Sequence, residues 1–466
     1  MLKKNYIYIL LLIVAFSINS CTSDEDISSE VPDIIHSENV YLDFNKWIYA
    51  QMNHDYLWRN DLPDSLSCDY ELAPVPFFQS LLSSKDRFSY CETNTSYTPT
   101  REKANLGYEY QQYELGDGSL FEQVLYVVNP ELIKKGLKRG DILIPQSGNS
   151  YIVRGKVEQN RILPVDTLEA ISPYGEVQTV YIDSVYTEGS KKIGYMCYLQ
   201  FDEIKDLVPP LKKFYDAKID DLVLDLRYNP GGYVSTCKYL SNSIVNELGY
   251  NEIFQKCTYN DVLTKEMVRE TGSGVSINRF TTPDNGKDVL GSPLYGLNLK
   301  RVYVLTSKNS ASASEAAIIS MRPFMDVILI GEQTYGKGVG SWTIRDNKYK
   351  YQLQPITMRY HNALMETTPD DGIEVDYYIA DGYSTSKKEL GDKSEPLLAK
   401  ALELILGANN TNENEIEDNT VQSENAASIK KKGLPSFSLR FQKTLQDGNL
   451  RDTDRNYSLK VKNQNK

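Results

Sequence analysis

Three short apolar runs in the second half of the chain constrain its fold more than any other feature. They cover residues 222–226, 302–305 and 327–330, and each leads into a turn containing glycine, serine or alanine. Apolar runs of this length are typical of buried strands. Helical patterns separate them, at about 234–248 and 313–321. Because strands and helices alternate over residues 191–405, the sequence predicts an α/β domain there.

Two of these turns carry a pair of residues with catalytic potential. Ser312 lies in the serine–alanine run at 310–314, and Lys337 lies between two glycines 25 positions later. A serine hydroxyl is an effective nucleophile only when a base removes its proton, and a lysine can be that base only when it is neutral. Burial in a dry turn lowers the pKa of a lysine. The pair therefore predicts a serine–lysine hydrolase.

Other catalytic or nucleotide-binding arrangements fit less well. Of the three histidines, only His361 lies in the region of Ser312, so a Ser-His-Asp triad has one candidate base. A histidine at a strand end is the simpler interpretation of His361. Residues 331–337 have the spacing of a phosphate-binding loop, but Gly338 stands where that motif needs Ser or Thr. We therefore expect no nucleotide partner.

An acyl-transfer site also needs hydrogen-bond donors for the oxyanion. The backbone N–H of Ala313 begins the helical segment after Ser312, at the positive end of the helix dipole. Gly231 and Gly232 follow a proline, and glycine lets a backbone N–H approach a substrate closely. These three amides are the candidate oxyanion donors, although a Pro-Gly-Gly run is also a common strand-ending turn.

The start of the chain is predicted to be a targeting signal. Lys3 and Lys4 precede an apolar run at 6–18 that is too short to span a membrane, and small residues lead into Cys21. This pattern resembles the lipobox of bacterial lipoproteins, which predicts a signal peptide at 1–20, lipid on Cys21 and an acidic tether at 21–38. An ordinary secretory signal is the alternative. Of the other five cysteines, Cys68 and Cys91 could form a disulfide, but free thiols are the simpler interpretation.

Two further modules precede the α/β region. Apolar residues at every fourth position from Phe44 to Tyr56 share one helix face, which predicts a helical module at 39–103. Residues 127–143, with a Gly-Asp turn before an apolar strand, resemble the helix-to-strand core of a PDZ domain, which predicts a PDZ-like domain at 104–190. PDZ domains bind a peptide end as an added strand. Leu106, Gly107 and Tyr108 are the candidate carboxylate-binding loop.

Composition narrows the class of partner and the extent of the folded region. The net charge is −12, and basic residues do not cluster with aromatic ones, which argues against a nucleic-acid partner. After about residue 406 the chain turns polar and rich in asparagine and glutamate, so we expect a disordered tail at 406–466.

Taken together, the motifs resemble those of the C-terminal processing (tail-specific) serine proteases. The resemblance lies in the order and spacing of residues 225–232, 310–315 and 331–338, followed by a Gly-Ile-x-x-Asp pattern at 372–376. It implies a multidomain α/β fold, with a crotonase-like (ClpP/crotonase-type) catalytic core at 191–405, a PDZ-like domain and the small helical module. It also implies that Ser312 is the nucleophile and Lys337 the general base. Ser341 stands where the family often has a glutamine that orients the lysine.

The sequence thus predicts an endopeptidase with a Ser-Lys dyad that cleaves polypeptides near C-termini or in unfolded segments through an acyl-enzyme. The chemistry requires no metal and no cofactor. The lipid at Cys21 would hold the protein on the outer membrane of a Gram-negative-type envelope, facing the periplasm or the surface. A non-catalytic cell-envelope protein that binds peptides or small ligands on the same fold is the alternative, because fold does not determine function.

Overall fold

A computed structural model of the chain describes residues 41–93, 107–145, 151–169, 178–284, 287, 293–346, 348, 350–407 and 429–432. All of them fall within one compact unit, Tyr41–Lys466. The predicted signal peptide, Cys21 and the tether lie outside the described residues, so their assignments stay predictions. Over the described ranges, no helix is long and apolar enough to cross a membrane.

The helices of the described residues include one within each predicted module. They are α1 (Leu42–Asp55), α2 (Pro74–Ser80), α3 (Pro130–Lys134), α4 (Val208–Ala217), α5 (Val234–Ile244), α6 (Asp261–Thr271), α7 (Ala313–Met321) and α8 (Pro396–Leu406), with 3₁₀ turns at Arg59–Asp61, Ser65–Ser67, Ile204–Asp206 and Glu247–Gly249.

The strands of the described residues form four sheets. They are β1 (Tyr90–Thr93), β2 (Tyr108–Glu114), β3 (Leu120–Val127), β4 (Ile142–Ile144), β5 (Tyr151–Glu158), β6 (Arg161–Glu169), β7 (Val180–Glu188), β8 (Lys191–Tyr198), β9 (Asp221–Asp225), β10 (Ile253–Tyr259), β11 (Ser276–Arg279), β12 (Arg301–Thr306), β13 (Asp326–Gly331), β14 (Val339–Ser341), β15 (Ile344–Asp346), β16 (Tyr351–Gln354), β17 (Ile356–His361), β18 (Tyr377–Tyr378) and β19 (Lys430–Lys432).

The central sheet has the strand order β18-β13-β12-β9-β8-β7. Within this sheet β8, β9, β12, β13 and β18 are parallel to their neighbours, and β7 joins the edge antiparallel to β8. Side chains alternate between the two faces, so Leu222 and Leu224 pack in one core cluster while Val223 packs in the other. Helices α4, α5 and α7 contribute to the first cluster and α8 to the second. Both faces are buried, which explains why the strand sequences are continuously apolar.

This topology brings three loops to one edge of the central sheet. The loops at 226–232, 307–312 and 332–337 follow β9, β12 and β13, which are neighbouring parallel strands. The carboxyl ends of parallel strands meet at the same edge of the sheet, where α/β proteins commonly bind ligands. All the residues predicted for nucleophile, base and oxyanion donors lie in these loops or just after them.

The N-terminal helical module packs against the strands that follow the lysine loop. Phe44, Ile48, Met52 and Tyr56 are fully buried, as their four-residue spacing predicts, and they share a core cluster with Leu353 of β16. Strand β1 also pairs with β16, in a sheet of order β1-β16-β15. This module is therefore attached directly to the α/β region.

A separate sheet of order β19-β2-β3-β4-β5-β6 contains the segment predicted to be PDZ-like. Helix α3 follows β3, and Leu132 on α3 packs with Val124 and Leu143 of the sheet. Its outer strand β19 comes from residues 430–432, within the tail for which the sequence predicts disorder. Nothing in the local sequence indicated this strand.

The structure confirms the α/β class and several local expectations. Helix α7 spans 313–321 as predicted, and α5 begins at Val234 but ends at Ile244, earlier than the helical pattern indicates. The five cysteines among the described residues are free thiols, including Cys68 and Cys91. The domain boundaries inferred from composition stay predictions.

Candidate active site

Ser312 lies in a sharp turn between β12 and α7. Its φ of +55° is in a region that a residue with a Cβ rarely adopts, and its side chain is half-buried. Such backbone strain costs free energy and persists only where surrounding contacts impose it. The turn lies at the sheet edge where the three loops meet.

The flanking serines explain why the run alternates serine with alanine. The Ser310 hydroxyl donates to the carbonyl oxygen of Leu226 at 2.8 Å, and the Ser314 hydroxyl donates to that of Asn229 at 2.9 Å. Both side chains are fully buried. These two serines therefore attach the turn to the 226–232 loop, whereas Ser312 is only half-buried.

Lys337 is buried in the loop after β13, with only 2% of its surface exposed. Its Nζ lies 5.2 Å from the centroid of the Phe88 ring, which belongs to the N-terminal module. Burying a lysine disfavours its charged form unless other groups compensate. The neighbouring Gly336 has φ +91°, and a Cβ there would lie 2.3 Å from the carbonyl oxygen of Asp370, so the loop requires glycine at this position.

Glu315 joins the serine turn to the lysine loop. Its Oε2 accepts the backbone N–H of Ser312 at 2.8 Å and that of Lys337 at 2.9 Å. Its Oε1 accepts the Gly336 N–H at 2.7 Å and the Thr334 hydroxyl at 2.6 Å. Because both N–H groups bind the same oxygen, the distance between the backbone nitrogens of Ser312 and Lys337 is at most the sum of these two hydrogen-bond lengths.

The environment of Glu315 pulls its pKa in opposite directions. Complete burial raises the pKa of this carboxyl, while the hydrogen bonds from Thr334, Lys337, Gly336 and Ser312 lower it, and the net direction is upward. Each donor favours the carboxylate form, because an ionised oxygen accepts a stronger hydrogen bond. The sequence motifs assigned Glu315 no role of its own, although a glutamate three positions after a helix-starting serine is a known capping pattern.

Gly231 lies directly against the Ser312 turn. A Cβ on Gly231 would approach the Ala311 carbonyl oxygen to 2.8 Å and the Ser312 Cβ to 2.9 Å. Its N–H donates to Oδ1 of Asn229 at 2.9 Å. The structure thus differs from the expectation for Gly231 as an oxyanion donor, because its N–H already has an acceptor within the loop.

Gly232 and Ala313 are the other two predicted oxyanion donors. Gly232 has φ +140°, and a Cβ there would lie 1.9 Å from the Phe201 carbonyl oxygen, so this position also requires glycine. The neighbouring bonds of this loop are made by Phe201 N–H to Gly231 and by Tyr233 N–H to Phe201. Ala313 is the first residue of α7, and the first amides of a helix have no acceptor within the helix.

Ser341, at the end of β14, is buried and contacts a glutamine from a neighbouring strand. Its hydroxyl oxygen accepts a hydrogen bond from Nε2 of Gln354 at 2.9 Å, and Oε1 of Gln354 accepts one from Thr343 at 2.6 Å. Sequence reasoning did not find Gln354, since it lies 13 positions after Ser341 in a different strand. A polar chain therefore extends from Ser341 into the sheet that carries β1.

A fully buried network of ion pairs connects the 226–232 loop to the residues around it. The Arg227 guanidinium donates to Asp225 Oδ1 at 2.9 Å and to both oxygens of Glu395, at 2.6 Å and 2.9 Å. Burial raises the pKa of Asp225. Burial also raises the pKa of Glu395, but the charge and the hydrogen bonds of Arg227 together lower it by more, so its net shift is downward. Glu395 also begins helix α8, so one arginine connects the loop to that helix.

The same network reaches the sheet that contains β2. Arg139, which is almost fully buried, donates to the Tyr228 hydroxyl at 2.6 Å and to Asp381 at 2.9 Å. Asp381 also pairs with Lys387 at 2.6 Å. The positive charges of Arg139, Lys387 and Arg227 hold the pKa of Asp381 well below its usual range despite burial. Tyr228 belongs to the loop that carries the glycines, so the two sheets contact each other directly beside that loop.

The remaining predicted residues are placed as follows. Leu106 lies outside the described residues. Gly107 precedes β2, where its carbonyl oxygen accepts the N–H groups of Val128 at 2.7 Å and Asn129 at 2.9 Å, and Tyr108 begins β2. His361 contacts Thr258 at 2.9 Å, and burial lowers the pKa of its imidazole.

The described residues can also be examined for a phosphate-binding loop and for a metal site. Strand β14 follows Lys337, so the phosphate-loop spacing at 331–337 lacks the helix of that motif, as its sequence indicated. The described ranges contain no cluster of three or more His, Cys, Asp or Glu side chains that could hold a metal ion.

Comparison with protein families gives two matches along the chain. The model described as peptidase family S41 matches residues 192–379, and the model described as the peptidase S41 N-terminal domain matches residues 43–90. The two matched regions correspond to the central sheet with its loops and to the N-terminal helical module.

Individual relatives are similar over shorter shares of their own lengths. Carboxyl-terminal-processing peptidase 1 of Arabidopsis thaliana, a chloroplastic protein, is 24% identical over 257 residues, which is 50% of this chain and 47% of that protein. The carboxy-terminal processing protease CtpB of Bacillus subtilis (strain 168) is 24% identical over 225 residues, or 44% of this chain and 41% of that protein. The chain thus spans less than half the length of these relatives.

A solved structure has the same overall fold. The crystal structure of an S41 protein from Bacteroides fragilis NCTC 9343 superimposes with a TM-score of 0.65 at 23% sequence identity. The superposition covers 78% of this chain and 97% of that one.

Proposed function

The chain belongs to peptidase family S41, and on that basis we propose that it is a serine endopeptidase that uses Ser312 as nucleophile and Lys337 as general base. Its substrates are polypeptides, cleaved near C-termini or within unfolded segments. The fold description that accompanies this proposal is a crotonase-like core with a PDZ-like domain. The parallel central sheet and the separate sheet that contains β2 support it.

One observation carries the proposal: a single carboxylate oxygen of Glu315 binds the backbone N–H groups of both Ser312 and Lys337. The two residues come from different loops, so their proximity is a product of the fold rather than of the chain order. A buried lysine beside a serine in a strained turn is the arrangement expected of an activated nucleophile.

The proposed reaction begins with a neutral Lys337. Its Nζ takes the proton of the Ser312 hydroxyl as Oγ bonds to the carbonyl carbon of the peptide, and the carbonyl oxygen becomes an oxyanion. The N–H groups of Gly232 and Ala313 donate to that oxygen. Lys337 then gives its proton to the leaving amine, the C–N bond breaks, and an acyl-enzyme ester remains on Ser312.

Hydrolysis of the ester repeats the proton transfers with water. Lys337 takes a proton from a water molecule as the water oxygen attacks the ester carbon. Lys337 then gives that proton to Ser312 Oγ when the ester bond breaks. The products are two shorter peptides and the original enzyme. No metal ion and no cofactor takes part in this scheme.

Ser341 and Gln354 are the proposed orienting groups for the lysine. Ser341 is the last residue of β14, the strand that follows the Lys337 loop. The amide of Gln354 donates a hydrogen bond to its hydroxyl oxygen at 2.9 Å. In this proposal the pair replaces the single glutamine that the family often has at the Ser341 position.

Peptide docking is proposed at the outer edge of β2. Gly107 lies just before β2 and Tyr108 is its first residue, with Leu106 adjacent in sequence, and a peptide strand added there would end near these residues. The antiparallel addition of β19 to β2 supports the proposal, because it means that this edge can accept a further strand.

The proposed location follows from the sequence alone. A lipid on Cys21 would attach the protein to the outer membrane of a Gram-negative-type envelope, with the peptidase on the periplasmic or surface side. A lipid anchor of this kind leaves the folded part of the protein in water, where unfolded polypeptides are accessible to it.

Intact-mass labelling of the full chain with a fluorophosphonate probe tests the proposal. We expect one adduct on Ser312 and cleavage of fluorescein-labelled casein, an unfolded protein, with both lost in Ser312→Ala. The matched control is Ser386→Ala, since Ser386 is exposed and lies outside the three loops. Casein cleavage that persists in Ser312→Ala would exclude this residue as the nucleophile.

A wild-type protein that neither labels nor cleaves, also when unfolded protein is added, would support the alternative function. That alternative is a cell-envelope protein that binds peptides or small ligands on the same fold.

A further inference from the structure

The N-terminal module reaches the lysine loop through two adjacent side chains. Nη2 of Arg87 donates to the carbonyl oxygen of Gly336 at 2.9 Å and to that of Asp370 at 2.7 Å. The Phe88 ring, which is 8% exposed, lies 5.2 Å from Nζ of Lys337. The segment thus contacts both the backbone beside Lys337 and its amine.

Several contacts hold this segment in place. Oδ1 of Asp86 accepts the N–H groups of Phe88 at 2.8 Å and Ser89 at 2.9 Å, while its Oδ2 accepts the Tyr56 hydroxyl at 2.8 Å. The Ser89 hydroxyl in turn accepts the N–H of Ile356 at 2.8 Å. The backbone around Phe88 is therefore held on one side by Tyr56, just after α1, and on the other side by β17.

Arg87 completes an aromatic and cationic stack over the loop. Its guanidinium carbon lies 5.0 Å from the Phe88 ring centroid and 5.4 Å from that of Tyr335, and the two rings are 6.2 Å apart. Both carbonyl oxygens that Arg87 binds belong to the turns that pack together at Gly336. The stack covers the lysine loop on the side of the N-terminal module.

We propose that Phe88 is a positioning residue for Lys337, which shields its amine from water and holds its side chain toward Ser312 while Arg87 holds the loop. This inference rests on the proposed function, since it assigns the N-terminal module a part in the base's environment. It concerns a different feature from the dyad itself, because neither Arg87 nor Phe88 takes part in the bond changes.

The rate of Ser312 labelling as a function of pH, in the full chain, tests the inference with two variants. Phe88→Leu keeps an apolar cover over the amine, whereas Phe88→Ala admits water. Water stabilises the ammonium, so in Phe88→Ala we expect the acid limb of the profile to move up by about one pH unit. In Phe88→Leu we expect the acid limb to stay where it is in the wild type. This conservative variant therefore serves as the control in which the apolar cover is kept.

Three results would overturn the inference while leaving the proposed function intact. One is an unchanged limb in Phe88→Ala with a lowered thermal midpoint, which means that the ring only stabilises the fold. The second is a downward move in both variants, which means that the ring's negative face holds the ammonium. The third is an upward move of equal size in both. A wild-type chain without Ser312 labelling removes the proposed function and this inference together.

A second inference rests on an independent observation, the position of β19. Lys430, Lys431 and Lys432 pair antiparallel with Glu114, Tyr113 and Gln112, on the outer edge of β2. The adjoining Ile429 packs against the cluster of Tyr113, Leu115 and Phe121. Because the pairing is antiparallel, the chain direction of β19 runs toward the start of β2 at Tyr108, as an added peptide end would.

We infer that residues 429–432 occupy the peptide-docking edge of β2 as an internal ligand that an incoming extended peptide must displace. Two features favour binding of this segment to the edge: Lys430 pairs opposite Glu114, and Ile429 makes an apolar contact. Because the segment and the edge belong to one chain, the competition is intramolecular, with an effective concentration on the order of millimolar. The inference rests on the docking part of the proposed function but not on hydrolysis.

Peptide binding in a Ser312→Ala background tests this inference without cleavage. The probe is a fluorescein-labelled peptide with the sequence of residues 426–437, measured by anisotropy against the full chain. Lys431→Pro and Ile429→Asp weaken β19, because proline cannot donate to a strand and aspartate cannot replace the apolar contact. We expect both to bind the peptide at least about tenfold more tightly than the background chain does.

The matched control is Lys460→Pro, which makes the same change outside β19 and is expected to leave the affinity unaltered. Equal affinity in all four proteins, or no binding in any of them, would overturn the inference. Neither result bears on Ser312 labelling, so the failure of this inference is distinct from failure of the proposed peptidase.

Discussion

Replacing Lys337 with methionine is expected to lower kcat/KM for casein cleavage by about 10²- to 10⁴-fold, the usual contribution of a general base. Methionine has a similar length and is apolar, so it can occupy the buried site beside Phe88 without leaving a cavity. The loss should therefore appear in the reaction and in Ser312 labelling, while the thermal midpoint changes little. Steady-state kinetics and differential scanning fluorimetry on the same preparations measure both.

The matched control for this prediction is Lys308→Met. Lys308 is an exposed lysine four positions before Ser312, and its replacement is expected to leave kcat/KM unchanged. The double variant Ser312→Ala with Lys337→Met should be no slower than Ser312→Ala, because residues that act as one unit have non-additive effects. Lys337→Met that keeps wild-type activity within threefold would show that another group is the base.

Replacing Arg227 with methionine is expected to destabilise the fold by about 3–5 kcal/mol, since it leaves the carboxylates of Asp225 and Glu395 buried and uncompensated. The corresponding fall in thermal midpoint is on the order of 10 °C for a domain of this size. Chemical denaturation at several pH values gives the free energy of unfolding directly.

The pH dependence of this effect has a definite sign. Glu395 has a lowered pKa in the folded protein, so its pairing contributes stability above the pKa of the unfolded chain, and that stability is lost as the pH falls through the folded pKa. In the variant, protonation also removes the uncompensated charge of Asp225 and Glu395. The destabilisation caused by Arg227→Met should therefore be larger at pH 8 than at pH 4.

An exposed ion pair provides the contrast to the Arg227 network. Lys212 and Asp216 are a helix-surface pair with more than half of each side chain exposed, so Lys212→Met should leave the thermal midpoint unchanged. A similar effect of Lys212→Met and Arg227→Met would mean that burial of the network does not determine its importance.

Local sequence patterns predicted the elements that carry the candidate site. The four-residue spacing from Phe44 to Tyr56 predicted α1, and the serine–alanine run predicted where α7 begins. Both patterns depend on neighbours within one or two turns of the chain, which is the range over which periodicity reports burial. The residue types and their order also predicted the family.

The sequence by itself determined which residues could react and which turn each of them occupies. Only the tertiary structure decided what surrounds them: Glu315 between the two loops, Gly231 with its N–H already engaged, and Arg87 bound to a carbonyl oxygen 249 positions away. It also placed residues 430–432 on the edge of β2. The physical reason is that these contacts depend on strand order and register between distant segments, and the pattern within any one segment carries no record of which other segment will pack against it.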